Sequence, residues 1–230
     1  EVQNTRQVFK PSTAWMLVDM LKGCVTSGVG TGANANFGIT IGGKTGTHTE
    51  STGVTFAGMS GYYSGAVWIG SDNYRPLNSK ATGGSAAAPL WAAIMRKVHE
   101  LTNCMADRDI IGGSPTDYGL VPAEVCAVSG MLPTKACRAD ANGHTTNIDW
   151  FLDGTQPTAY CNMHRAVTIC NRSKQVATTH CSSTFVAGLI YIPEGHPLRF
   201  AKDLSEVTRY FIGASTDENS TSLGYCTQCG

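Results

Sequence analysis

Lys44 is the first residue in the chain whose neighbours suggest chemistry. It stands in the stretch Gly38-Ile39-Thr40-Ile41-Gly42-Gly43-Lys44-Thr45-Gly46-Thr47. The first eight of these residues satisfy G-x-x-x-x-G-K-[ST], the pattern whose glycine-rich backbone cradles phosphates. The overlapping triplet Lys44-Thr45-Gly46 instead fits a strand motif found beside serine nucleophiles in acyl-transfer sites. One lysine cannot serve both chemistries, so the elements that position it must decide.

A phosphate loop follows a buried strand and opens a helix at its Lys-Thr pair. Here Thr31 to Phe37 reads as a loop, and Ile39-Thr40-Ile41 alternates like a strand. Gly46 to Gly53 is rich in glycine and threonine, which oppose a helix. The context fails on both sides, which removes the nucleotide reading and leaves the strand.

The elements around that strand follow from periodicity. In Thr13 to Thr26, the residues Ala14, Leu17, Val18, Leu21 and Val25 form one apolar stripe at helical spacing, with Ser12 or Thr13 as the expected N-cap. Cys24 lies on that face and reads as a buried free thiol. A glycine-rich loop spans 27–38. Val54 to Met59 and Tyr62 to Ser71 then read as strands, joined by turns too short for anything but antiparallel pairing. A helix follows from about Ala86 to Leu101, with Pro89 in its first turn and Leu90 or Trp91, Ile94, Val98 and Leu101 as its buried face. The expected fold class is α+β, an antiparallel sheet flanked by helices, followed by a small irregular cysteine-rich extension. The division is expected as 1–103 and 104–230, with the boundary within about 103–118.

Composition narrows the classes of function. Lys plus Arg equals Asp plus Glu, 17 each, so no basic field points to nucleic acid. Charged residues are 15% of the chain, below the ordinary level of about 25%, a composition common in secreted and envelope proteins. The longest mostly apolar run, Ala86 to Met95, is too short to span a bilayer. The sequence opens without an initiator methionine or a signal peptide, which reads as a processed product or a fragment.

Five ordered blocks carry a family resemblance: "TAWMLVDMLKGCV", "GTG", "GGKTGT", "AVWIGSDNYRPL" and "GGSAAAPLWAAIM". In this order and spacing, residues 8–101 resemble the last third of the transpeptidase domain of class A penicillin-binding proteins. "VCAVSGMLPTKAC", "WFLDGTQPTAYCNMH" and "VTICNRS" resemble the C-terminal extensions of some members. The resemblance implies a serine-type D,D-transpeptidase that crosslinks peptidoglycan stem peptides through an acyl-enzyme and is acylated by β-lactam antibiotics. It places the protein at the extracytoplasmic face of the bacterial cell membrane.

The resemblance assigns catalytic roles to Lys44 and Thr47 and substrate binding to Thr45, Gly46 and Thr47. The Lys44 ammonium favours the substrate's terminal carboxylate and assists proton movement around the leaving group. The Thr45 hydroxyl bonds that carboxylate. Gly46 admits a substrate lying along the strand as an added β-strand. The Thr47 N–H is one of two oxyanion-hole donors, and its hydroxyl can reach the carboxylate.

The family also demands a nucleophile in S-x-x-K, and no serine here has a lysine three residues later. It demands S-x-N upstream of K-T-G as well; Ser71-Asp72-Asn73 spells S-D-N but follows K-T-G instead of preceding it, and its residue types read as a turn. The expected partner is therefore upstream polypeptide carrying S-x-x-K and S-x-N, with any membrane attachment through an anchor upstream as well. Thr55 also stands where the family usually has tryptophan.

No cofactor and no metal is expected. Eight of nine cysteines fall between Cys104 and Cys229. An oxidising compartment favours disulfides stapling a loop-rich module over the alternative, a zinc site built from Cys161-x-x-His164 and Cys226-x-x-Cys229 with Cys170, Cys181 or His180. His48, His99, His144 and His196 are expected at the surface, with His48 near the cleft entrance. A second reading of the whole chain is a non-catalytic cell-envelope binding module with a disulfide- or zinc-stabilised tail.

Overall fold

The computed structural model describes residues 6–34, 37–141, 143, 145–190 and 224–229. His144 and His196 lie outside these residues. The chain divides into two compact units, Glu1–Leu120 and Val121–Gly230.

The first unit is built on a three-stranded antiparallel sheet in the order β1-β2-β3, formed by β1 (Ile41–Thr47), β2 (Gly53–Ser60) and β3 (Ser64–Gly70). Helix α1 (Pro11–Thr26) packs against β1, and a short helix α2 (Thr31–Asn34) interrupts the expected loop. A π-helical turn (Gly83–Ala87) leads into α3 (Ala88–Leu101). With both sheets of the second unit, this is the α+β class read from the sequence.

Several local expectations are corrected. Lys10 is the N-cap of α1, because Pro11 occupies N1, where its missing N–H costs nothing; Ser12 is buried inside the first turn. The stripe on α1 is only partly covered, with Val25 buried and Leu17 exposed, and Cys24 is free but half-buried. The buried face of α3 consists of Ala88, Trp91, Ala92, Met95 and His99, whereas Leu90, Ile94 and Leu101 are exposed.

The choice of face follows from the sheet. Gly43 and Gly58 are paired across β1 and β2. A methyl group on Gly58 would stand 2.8 Å from Trp91 Cζ2, and one on Gly43 would stand 2.4 Å from Phe56 Cζ. The bare backbone there leaves room for two large rings. Trp91 stacks on Phe37 with centroids 5.7 Å apart, meets Phe56 edge-on at 5.1 Å, and donates its indole N–H to Gly65 O at 2.9 Å. Val25, Ile39, Ile41 and Val54 complete this core.

His99, expected at the surface, is fully buried within it. Its Nδ1 lies 2.7 Å from Met95 O and so donates, which leaves Nε2 to accept from Ser60 Oγ at 2.8 Å. Beyond α3, residues 104–119 belong to the first unit. Asp107 caps the approach to β1 by accepting from Thr40 N at 2.7 Å and from Thr40 Oγ1 at 3.1 Å.

The second unit holds two two-stranded sheets. β4 (Leu120–Cys126) pairs with β5 (Thr146–Leu152), and β6 (His164–Cys170) pairs antiparallel with β7 (Thr184–Ile190). A one-turn helix α4 (Lys135–Arg138) packs on β6 and β7. Among the described residues, no helix is long and apolar enough to cross a membrane.

Two measurements check this account. Trp91→Ala removes the ring at the centre of the first core and is expected to cost about 3–5 kcal/mol in urea unfolding. The bonds from Thr40 hold the Asp107 carboxyl below its ordinary range. Its contribution is therefore complete above the unfolded value of about 3.9 and is lost as pH falls through the lowered folded value. Asp107→Asn should flatten the acid limb of stability against pH in that window and leave the limb above about pH 5 unchanged.

Candidate active-site strand

The Lys-Thr-Gly-Thr segment lies wholly within β1, the edge strand of its sheet, so no helix opens at Lys44. The ladder fixes what each backbone group faces. His48 N donates to Gly53 O at 2.8 Å, which makes His48 and Gly53 a hydrogen-bonded pair. In an antiparallel ladder such pairs alternate, so Gly46–Thr55 and Lys44–Ala57 bond to β2, whereas Thr47–Val54, Thr45–Phe56 and Gly43–Gly58 do not. The N–H of Thr47 and the C=O of Thr45 therefore point away from β2, along the open edge.

Side chains alternate the other way, across the faces. Gly43, Thr45 and Thr47 share the face of Phe56, whereas Gly42, Lys44 and Gly46 share the opposite one. On that opposite face α1 covers Gly42, where a methyl group would stand 3.3 Å from Leu21 Cβ. Lys44, Ala57, Ala66 and Trp68 are exposed on it. Lys44 Nζ reaches to Thr45 O, 3.0 Å away, and so sits over the strand edge.

Gly46 borders an open depression of about 330 Å³ lined by Thr47, His48, Thr55, Trp68 and Tyr74 among others. A methyl group on Gly46 would stand 2.5 Å from Thr55 Oγ1, so the small residue keeps the floor of that depression at backbone level. His48 lies at its rim, with Nδ1 2.7 Å from Thr52 Oγ1. The Thr47 hydroxyl accepts from Gly83 N at 3.0 Å and thereby ties β1 to the turn that starts α3. Ser71-Asp72-Asn73 forms a turn, with Tyr74 N bonded to Ser71 O and Arg75 N to Ser71 Oγ.

The cysteines depart from expectation. All nine are free thiols, so the expected disulfides are absent from the structure. Cys126, Cys137, Cys161 and His164 converge, as do Cys170, Cys181, Cys226 and Cys229; within each set the donor atoms lie within 4.8 Å of one another. The close pairs Cys161-x-x-His164 and Cys226-x-x-Cys229 are visible in local spacing, whereas the repeat around them spans longer intervals. Ten residues separate Cys126 from Cys137, and ten separate Cys170 from Cys181. Within each interval a serine follows the first cysteine by three residues and a threonine by eight, and a tyrosine precedes each close pair.

Residues 1–96 match the model of the penicillin-binding protein transpeptidase domain, and residues 116–166 match that of the penicillin-binding protein 1A C-terminal domain. The chain belongs to the class A penicillin-binding proteins. Penicillin-binding protein 1A of Clostridium tetani is 37% identical over 165 residues, covering 70% of this chain and 20% of the relative. That of Clostridium botulinum (strain Langeland) is 34% identical over 191 residues, covering 82% and 22%. The chain thus spans about a fifth of the length of these relatives. The crystal structure of penicillin-binding protein 1A from Haemophilus influenzae shares the fold, with a TM-score of 0.55 at 20% identity, covering 70% of this chain and 23% of that one.

The tie between Thr47 and Gly83 is separable from any role in catalysis. Thr47→Val leaves the Gly83 N–H without its acceptor and should destabilise the first unit by about 1 kcal/mol. Thr47→Ser should retain most of that stability in the same urea titration.

Proposed function

We propose that this chain supplies the K-T-G wall of a serine-type D,D-transpeptidase that crosslinks peptidoglycan stem peptides. The observation that carries this reading is the outward-facing edge of β1, which presents the Thr47 N–H beside Lys44. A peptide laid along that edge gains main-chain hydrogen bonds as an added strand. A carbonyl oxygen directed at the Thr47 N–H would have its developing negative charge stabilised there, an effect typically worth about 3 kcal/mol per donor.

Lys44 brings a positive charge to the same edge. Its ammonium attracts the terminal carboxylate of the stem peptide and supports proton transfer to the leaving amine. Thr45 offers a hydroxyl to that carboxylate, and Gly46 keeps the strand surface low enough for approach. The serine nucleophile, its S-x-x-K lysine and the S-x-N segment come from upstream polypeptide in this reading. The exposed face around Lys44, Ala57, Ala66 and Trp68 is a suitable seat for it, because an uncovered apolar sheet face gains stability from a packed partner. The same cleft accepts β-lactam antibiotics as acylating substrates, and the reaction takes place at the extracytoplasmic face of the cell membrane.

The test is acylation by a fluorescent penicillin of this chain produced together with its upstream polypeptide. Label is expected on the upstream serine, and Lys44→Ala should slow acylation by about 100-fold or more. Acylation by Lys44→Ala at the unaltered rate would remove the role given to Lys44. A complete, folded protein that takes up no label would remove the whole reading.

A further inference from the structure

We propose that the second unit binds two zinc ions, one held by Cys126, Cys137, Cys161 and His164 and the other by Cys170, Cys181, Cys226 and Cys229. Three independent observations carry this: the geometry of each set, the partner of His164, and the duplication of the local fold.

The distances suit a tetrahedral ion. Zinc–sulfur bonds of about 2.3 Å place two sulfurs about 3.8 Å apart on a tetrahedron. Cys170 Sγ and Cys229 Sγ are 3.6 Å apart, and His164 Nδ1 lies 3.3 Å from Cys126 Sγ and 3.5 Å from Cys161 Sγ. Disulfide sulfurs would lie about 2.0 Å apart. The first set also holds three thiols and one imidazole, so a single disulfide would leave one thiol unpaired.

His164 is oriented for metal. Its Nε2 lies 3.0 Å from Asp140 Oδ2, and both side chains are completely buried. A carboxylate only accepts, so Nε2 carries the proton and Nδ1 turns its lone pair toward the three sulfurs. A carboxylate behind a ligating histidine is the usual means of fixing its tautomer and raising its basicity.

The two sites are built twice from one plan. Cys126 N bonds to Met131 O and Gly130 N to Cys126 O; Cys170 N bonds to Gln175 O and Lys174 N to Cys170 O. Thr134 N and Thr178 N each donate to the sulfur three residues on, Cys137 and Cys181. Leu132 pairs with Tyr160 in one copy, and Val176 pairs with Tyr225 in the other. Gly130 and Lys174 both adopt positive φ, 67° and 58°, at the same place in the turn. Backbone N–H groups aimed at sulfur stabilise thiolates, the form that binds metal. β6 links the copies, with His164 at its start and Cys170 at its end.

The ion is zinc by ligand type. Tetrahedral sulfur sets take zinc or iron, and a Cys₃His set made on the same local plan as a Cys₄ set points to the ion that both accommodate as structural sites. Each set supplies four protein ligands and leaves no open position, so the ions hold the fold together and do no catalysis. The unit needs such staples. Cys126, Cys137 and Cys161 are themselves members of its first small core, with Met163 and Ile190, and among the described residues its second core has Ile169, Ala187 and Leu189 as buried members.

The test is metal analysis of the full chain purified under reducing conditions, by mass spectrometry of the elements. Two equivalents of zinc are expected. Cys161→Ser and Cys226→Ser should each lose one equivalent, and His164→Cys should keep both. Asp140→Asn should weaken one zinc about 10- to 100-fold in chelator competition and leave the other unchanged; this readout stands even if a ligand variant fails to fold. Fewer than two equivalents after refolding with zinc, iron in place of zinc, or a chain mass lowered by paired cysteines would overturn the proposal.

Discussion

The pairing register of β1 on β2 governs what the first unit can do. With Thr47 opposite Val54, the outward amides belong to Thr45 and Thr47, and Lys44 stands on the face away from Phe56. A slip of one residue would turn Lys44 into the aromatic core and send the Thr47 N–H into the ladder. The register is held from both sides. Phe56 and Trp91 fit only where Gly43 and Gly58 leave space, and Thr47 is tied to Gly83. The core that stabilises the sheet therefore also aims the edge.

The second unit solves a different problem with different means. Among its described residues the sheets have only two strands each, the one helix is a single turn, and sulfur fills many of the buried sites. Backbone donors reach several of those sulfurs, Met163 and Ile190 pack beside the first set, and Asp140 and His164 are buried as a bonded pair. Glu124 and Arg138 add a link across the first copy, with Arg138 Nη2 donating to Glu124 Oε2 at 2.7 Å.

The contrast between sequence and structure is sharpest on α3. Its helical character and its proline start were evident from spacing, yet the inward face was not. Leu90, Ile94, Val98 and Leu101 form as good a stripe as Trp91, Met95 and His99 until the partner surface is known. The partner is a strip of glycine backbone, which rewards a large flat ring and admits alanine beside it. His99 is inward because Ser60 and the Met95 carbonyl satisfy both its nitrogens, a fact no local pattern announces.

The sequence alone determined the class of fold, the strand character of Lys44 to Thr47 and the family, because helical and strand periods, turn residues and ordered motifs are local properties of the chain. It also carried the repeated spacing of the cysteines, although spacing by itself does not say what the thiols meet. Tertiary structure decided which face of each helix is buried, which amides of β1 face outward, and that seven of the nine cysteines gather with His164 into two sets of four instead of bonding in pairs. Each of those outcomes depends on groups distant in sequence arriving within a few ångströms of one another, which only the packed chain brings about.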